Sequence, residues 1–254
     1  MEALIDGDVL AYRFASSCET ATEWEDDIWT IHADMGLAKA KVREFLQVDI
    51  LEPITYLMEL DHTPGYRVFL SDSTNFRKEV WPTYKENRKG KRKPIILQQV
   101  REWMIEEFLA EIVEGVEADD LLGMYGCRRK DRVICTIDKD LRTVEGYHFN
   151  WDKPDEGVLL VNNKDAAFQF YGQVLTGDSV DNFPGLPGCG PKTAEKLLAG
   201  AKSVPEMWER VVKAYEKKGL EEEDAIVQAR CAYILKENKD LTDNGVNLWQ
   251  PPTK

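Results

Sequence analysis

Three short apolar runs that each stop at an acid constrain this chain more than anything else in it. Ala3-Leu4-Ile5 runs into Asp6, Tyr66-Arg67-Val68-Phe69-Leu70 into Ser71-Asp72, and Arg132-Val133-Ile134-Cys135-Thr136-Ile137 into Asp138. Runs this short read as strands. Asp6-Gly7-Asp8 reads as a turn after the first strand. Helical spacing recurs between the strands: over 33–60 (Leu37, Val42, Phe45, Leu46, Ile50, Leu57, Met58), with a break or kink near Pro53, over 95–111 (Ile96, Val100, Trp103, Met104, Phe108) and over 119–129. Val158–Val161 is a shorter strand and Ile112-Val113 an edge strand. Strands alternating with helices predict an α/β fold, a central mostly parallel sheet flanked by helices. After about Phe168 the pattern changes. Glycines and prolines cluster at 184–191, and helical stretches follow at 191–199, 205–218 and 222–237. An α/β core over 1–175 and a helical subdomain over 176–254 are therefore expected, within the range of one to two domains that 254 residues allow.

The formal net charge of −13 argues at first against a polyanionic partner. Its distribution reverses that. Arg77, Lys78, Lys85, Arg88, Lys89, Lys91, Arg92 and Lys93 fall in one window opposed only by Glu79 and Glu86, so residues 76–93 carry +6 and the remainder −19. Phosphate binding needs local positive potential rather than a positive total. A solvated loop would explain the cations alone; Trp81 and Tyr84 among them add stacking surfaces and favour nucleic acid. No apolar run reaches the ~20 residues that span a bilayer, and the first residues do not form a signal peptide, so a cytoplasmic protein without a membrane partner is expected. Five cysteines without a Cys-x-x-Cys pair and three scattered histidines favour neither a disulfide framework nor zinc.

The acids fall at element boundaries. Asp6, Asp72 and Asp138 each follow a strand, where functional groups of parallel sheets gather. Glu117-Ala118-Asp119-Asp120 opens a helix, where plain N-capping is the simpler account. Asp138-Lys139-Asp140 alone could be a turn, and Gly177-Asp178-Ser179-Val180-Asp181-Asn182 sets two carboxylates three residues apart. Gathered in one cleft, such carboxylates would repel and hold protons unless cations joined them. All-oxygen donors suit hard ions, Mg²⁺ or Mn²⁺, and two ions roughly 4 Å apart can clamp a phosphoryl displacement.

In order along the chain, Ile5-Asp6-Gly7-Asp8, Leu70-Ser71-Asp72-Ser73, Phe76-Arg77-Lys78-Glu79, Pro82-Thr83-Tyr84-Lys85-Glu86-Asn87-Arg88, Glu117-Ala118-Asp119-Asp120, Thr136-Ile137-Asp138-Lys139-Asp140-Leu141, Gly177–Asn182 and Gly185-Leu186-Pro187-Gly188-Cys189-Gly190-Pro191-Lys192-Thr193-Ala194 resemble the flap endonuclease / 5′-nuclease superfamily, and within it the small bacteriophage 5′→3′ exonucleases. Each motif is weak alone; the ordered set, from residue 3 to about 200, is specific. The resemblance implies a PIN-like, resolvase-like core with a C-terminal helix-three-turn-helix. It implies Asp6, Asp72, Glu117 and Asp119 as ligands of a first ion, with Asp120 nearby, and Asp138, Asp140, Asp178 and Asp181 as the group of a second. Tyr84, Lys85 and Arg88 resemble arch residues that meet DNA near the scissile phosphate. Arg77, Lys78, Lys89, Lys91, Arg92 and Lys93 extend that basic surface. Gly188, Gly190, Lys192, Thr193 and Lys196 resemble the turn that grips duplex backbone, where related proteins also hold a monovalent cation, K⁺. Independently of the resemblance, glycines there permit close approach to phosphates and a helix starting at Pro191 presents amide donors.

The activity so implied is two-metal 5′→3′ exodeoxyribonuclease and flap endonuclease hydrolysis, by a monomer, on double-stranded DNA with 5′ ends or flaps. RNA–DNA hybrids during primer removal are a further implied substrate, and a phage-encoded copy would work in the bacterial cytoplasm. The alternatives are a PIN-like ribonuclease, which the glycine turn and helical tail disfavour, and an inactive DNA-end-binding scaffold, which the full set of carboxylates disfavours. Two features depart from larger relatives. Only about a dozen residues separate Trp81-Pro82 from the helix near Ile95, a reach of at most ~3.5 Å each, so an open or disordered basic loop rather than a closed archway is expected. An acidic, aromatic stretch (Glu19, Glu23, Trp24, Glu25, Asp26, Asp27, Trp29) precedes the first long helix; packing is its simpler account and a protein partner the alternative.

Overall fold

The computed structural model describes residues 1–24 and 29–252. The chain forms two compact units that interleave along the sequence. The first comprises Met1–Asp72, Lys91–Ile137 and Gly146–Leu160, and the second Ser73–Gly90, Asp138–Glu145 and Val161–Lys254. The compact units therefore do not follow one cut near residue 175. Residues 73–90 and 138–145 belong with the C-terminal helices.

The first unit is built on a sheet of five strands, β1 (Glu2–Asp6), β4 (Gly65–Phe69), β5 (Arg132–Cys135), β6 (Gly146–Phe149) and β7 (Val158–Val161). Their order across the sheet is β4-β1-β5-β6-β7. β1 runs parallel to β4, with Asp6 opposite Phe69, and parallel to β5, with Ile5 opposite Cys135. β5 runs parallel to β6. Ala3, Leu4, Ile5, Val133, Ile134 and Cys135 are at most 1% exposed, so the two central strands are covered on both faces. Helices α1 (Gly7–Ser17), α2 (Met35–Phe45) and α5 (Leu97–Phe108) pack together, and α6 (Ala118–Gly126) packs on β1, β4 and β5.

Several sequence expectations are corrected here. Asp6-Gly7-Asp8 is not a turn: α1 starts directly at Gly7, capped by Asp6, whose Oδ1 accepts from the Val9 N–H at 3.2 Å. Only glycine fits at the junction, since a Cβ on Gly7 would stand 2.6 Å from the Phe69 carbonyl oxygen. Residues 35–57 are helical throughout, and the irregularity lies before Pro53: Leu46–Leu51 is a π-helical segment leading into α3 (Glu52–Leu57). The wider i→i+5 register, as in the Glu52 N–H to Gln47 carbonyl bond, spares the chain the amide donor that Pro53 lacks. Ile112-Val113 is not a strand; Glu111 alone bridges to Phe69 at the sheet edge. The described part of the acidic stretch forms an antiparallel hairpin, β2 (Glu19–Glu23) with β3 (Trp29–Ala33), while Glu25, Asp26 and Asp27 lie outside the described residues. β6 was too short, and α1 and the helix over 163–176 too mixed in polarity, for periodicity to show them.

In the second unit, α7 (Asn163–Thr176), α8 (Pro191–Leu198), α9 (Val204–Glu216) and α10 (Glu222–Ala232) enclose a core of Phe170, Tyr171, Val174, Met207, Trp208, Val211 and Tyr215. The short α4 (Arg77–Val80) packs on α10. Two backbone passes cross where α7 ends. A Cβ on Gly177 would lie 2.3 Å from the Pro184 carbonyl carbon, and one on Gly185 2.1 Å from the Gly177 nitrogen, so both positions require glycine. That crossing turns the Asp178–Phe183 loop, closed by reciprocal hydrogen bonds between Asp178 and Phe183.

Candidate metal sites and nucleic-acid interface

Parallel pairing puts the ends of β4, β1 and β5 on one edge of the first unit, and a carboxylate group forms there. Asp6 is buried, and its Oδ2 accepts from the Thr136 hydroxyl at 2.7 Å. Asp72 donates its N–H to the Val116 carbonyl at 3.1 Å, and its Oδ2 accepts from the Gly115 N–H at 3.0 Å. The Ser71 hydroxyl oxygen accepts from the Ala118 N–H at 2.9 Å. These bonds set Asp72 beside the start of α6, which carries Glu117 and Asp119. Glu117 and Asp120 form a capping box, each carboxylate accepting from the other residue's N–H. The capping account of this motif is thus realised. Asp120 is fully buried, with its carboxylate engaged in this box.

Sequence reasoning missed two neighbours of this group, Asp8 and Arg101. Asp8 Oδ2 accepts from the Ser71 N–H at 2.9 Å, and Asp8 Oδ1 pairs with Arg101. Arg101 also donates to the Ser71 carbonyl at 2.5 Å. Asp8 was visible within the Asp6-Gly7-Asp8 motif. Arg101 carried no signal, because a cation on a helix reads as a solvated face.

The second unit holds another carboxylate group. Asp138 Oδ1 accepts from the Asp140 N–H at 2.8 Å. Asp178 Oδ1 accepts from the N–H groups of Val180 at 2.6 Å and Asp181 at 3.3 Å. Asp140 is half-buried, and its Oδ1, itself shielded from solvent, has no hydrogen-bond partner among the described residues. Burial first, then the charges of Asp138 and Asp178, push the Asp140 carboxyl up to about 7. Among the described residues no three or more His, Cys, Asp or Glu side chains stand as a group that could hold a metal ion. Mg²⁺ does not need three, since it keeps several waters and takes one or two carboxylates. An orphaned buried oxygen amid like charges fits such an ion.

The basic segment is more ordered than its sequence suggests, and two of its residues are corrected. Arg77 is 2% exposed; its guanidinium donates to the Cys231 carbonyl at 3.1 Å and the Tyr233 carbonyl at 2.6 Å, so it is a buried clamp and not a DNA contact. Tyr84 is 3% exposed with its ring in the helical core, so it is no stacking platform. Nor is the segment an open loop throughout. Residues 81–88 are pinned to the Asp178–Asn182 loop: Trp81 Nε1 donates to the Asn182 carbonyl, Asn182 Nδ2 to the Thr83 carbonyl and Asn87 Nδ2 to the Ser179 carbonyl. Lys78, Lys89, Lys91, Arg92 and Lys93 are exposed, with Lys89 paired to Glu86 and Arg92 to Glu19. Residues 91–94 carry no regular structure.

At the glycine turn, Gly188, Gly190, Lys192, Thr193 and Lys196 are all exposed. Gly190 caps α8, with Pro191 in its first turn. A Cβ on Gly190 would meet nothing within 4 Å, so nothing in the protein's own packing demands glycine there. Lys218, which the sequence did not single out, brings its Nζ within 3.8 Å of where a Gly188 Cβ would stand.

Family models for the 5′-3′ exonuclease match in two parts, the N-terminal resolvase-like domain over residues 2–156 and the C-terminal SAM fold over 170–243. The chain is 29% identical to the exonuclease of Escherichia phage T7 across 98% of its own length and 93% of that protein's. It is 26% identical to the flap endonuclease Xni of Shewanella halifaxensis across 74% and 81%. In fold it is similar to the phage T5 D15 protein co-crystallized with metal ions, at 16% identity and a TM-score of 0.58 over 90% of this chain and 87% of that one. No helix among the described residues is long and apolar enough to cross a membrane. The chain belongs to the 5′-3′ exonuclease family.

Proposed function

We propose that this family member hydrolyses phosphodiesters near DNA 5′ ends, as a 5′→3′ exonuclease with structure-specific flap cleavage, and that it depends on Mg²⁺ or Mn²⁺. The observation that carries the metal assignment is Asp140, with its buried, unpartnered oxygen between two other carboxylates. Asp138, Asp140 and Asp178 would hold one ion. Asp6, Asp72, Glu117 and Asp119 would hold another, with Thr136 and the α1 cap fixing Asp6. Bound divalent ions supply Lewis-acid chemistry, activating water and neutralising the phosphate.

The chain's own residues do the rest. Lys85 and Arg88 stabilise charge on the phosphate as it develops. Gly188, Gly190 and the α8 amides approach duplex backbone, with Lys192 and Lys196 adding attraction. RNA–DNA hybrid ends present the same phosphate chemistry and are a second substrate to be compared. The test is thermal unfolding with and without Mg²⁺. At 100-fold over the dissociation constant, one site adds about 2.7 kcal/mol. A melting temperature indifferent to both Mg²⁺ and EDTA would remove the metal assignment.

A further inference from the structure

Asp181 stands apart from its neighbours in how its oxygens are used. Oδ2 accepts from the Tyr84 hydroxyl at 2.7 Å and lies 3.6 Å from Lys85 Nζ. Oδ1 accepts from Arg88 Nη2 at 2.6 Å. Its main-chain carbonyl accepts from the Lys85 N–H at 2.8 Å. Three side-chain donors, two of them cations, therefore converge on one carboxylate whose side chain is 19% exposed. Asp140, in the same unit, has the opposite condition, a buried oxygen with no donor.

Lys85 itself is held in an unusual state. Its backbone is left-handed at φ 55°, ψ 18°, a conformation that costs a residue with a Cβ about 1 kcal/mol or more and persists only where the surroundings impose it. The Asp181 carbonyl takes its N–H, and the Tyr84 ring lies 5.2 Å from its ammonium. Tyr84 is anchored in turn by the helical core. The strain, the buried phenol and the shared carboxylate all fix two cations at one spot.

We infer that Asp181 is a positioning residue for Lys85 and Arg88 and not a metal ligand. Two cations of the basic segment, Arg88 at 2.6 Å and Lys85 at 3.6 Å, already neutralise its carboxylate, while Asp140 keeps a buried oxygen without a donor. The inference rests on the reading of Lys85 as a phosphate-stabilising residue. Without Asp181, Lys85 and Arg88 remain in the chain but lose their common anchor, so bound DNA meets them out of place.

The experiment uses the full-length protein as wild type, Asp181→Asn, Asp181→Glu, Asp140→Asn, Lys85→Ala and the Asp181→Asn/Lys85→Ala double variant. Asparagine keeps the shape of Asp181 and accepts one hydrogen bond, which protects folding. Mn²⁺ binding without DNA is followed by electron paramagnetic resonance, and single-turnover cleavage is measured at saturating DNA. Asp181→Asn is expected to keep every Mn²⁺ site within about twofold in affinity, while Asp140→Asn loses one site at least tenfold. Cleavage of bound DNA by Asp181→Asn falls at least tenfold, by about as much as in Lys85→Ala, and the double variant is no slower than the worse single one. Asp181→Glu recovers part of the rate. Loss of a Mn²⁺ site in Asp181→Asn matching that in Asp140→Asn, or multiplying losses in the double variant, overturns the positioning role alone. Full-rate cleavage by Lys85→Ala overturns the reading of Lys85 beneath it.

Discussion

Replacing Asp140 with asparagine should stabilise the metal-free protein at alkaline pH. The folded structure raises this carboxyl from 3.8 to about 7, through burial and the charges of Asp138 and Asp178. A raised carboxyl makes the folded state hold a proton that the unfolded state has released. Stability therefore falls as pH rises from about 4 to about 7 and stays low above that. At roughly 1.36 kcal/mol per tenfold change, the ceiling is about 4 kcal/mol. Partial exposure and solvent screening reduce it to about 2 kcal/mol. The asparagine side chain mimics the protonated acid and carries no charge to desolvate. For a chain of this size about 2 kcal/mol corresponds to a melting temperature higher by ~4–8 °C. The assay is thermal unfolding of wild type and Asp140→Asn in EDTA at pH 8 and pH 4. The variant should melt higher at pH 8, with most of that gain gone at pH 4. With Mg²⁺ at pH 8 the order should close or reverse, because wild type gains an ion that the variant holds weakly. Equal shifts at both pH values, or a less stable variant at pH 8 in EDTA, would refute the reasoning.

Other expectations follow from single contacts. Arg77→Ala should cost about 3 kcal/mol in urea unfolding, because it empties a buried site and strands the Cys231 and Tyr233 carbonyls, and DNA affinity measured below the unfolding range should change little. Lys192→Ala should weaken duplex binding for all sequences and flatten log Kd against log salt by about 0.9, the loss of one phosphate contact, as read by fluorescence anisotropy. Blunt or recessed 5′ ends should be degraded well while long 5′ flaps gain little, since 81–88 is pinned and only 89–94 is left to span. Strong flap preference that vanishes when a bulky protein blocks the tip before enzyme is added would show threading instead.

The sheet and its acidic strand ends were legible because burial on both faces forces continuous apolar runs, and Asp6, Asp72 and Asp138 interrupt them sharply. Gly177 and Gly185 were legible for a similar reason, since any Cβ there would strike backbone, whereas the packing itself demands no glycine at Gly190. Local propensity could not show what depends on contacts distant in sequence. Arg77 has the same side chain as its solvated neighbours, and only the end of α10 and the chain beyond it reveal that it is buried. Asp181 sits in a motif that reads as two equivalent acids, yet Asp178 caps its own loop while Asp181 binds residues almost a hundred positions earlier. The Arg101–Asp8 pair joins residues 93 positions apart, with no pattern around Arg101 to announce it.

The central claim is metal-dependent hydrolysis from DNA 5′ ends. It is tested most directly by a time course on duplex DNA carrying a label at the 5′ end of one strand and a different label at its 3′ end. In Mg²⁺ the 5′ label should leave first, as mono- or short oligonucleotides, with the 3′ label retained in shortening strands and EDTA stopping both. Release of the 3′ label first, or undiminished cleavage in EDTA, would contradict it.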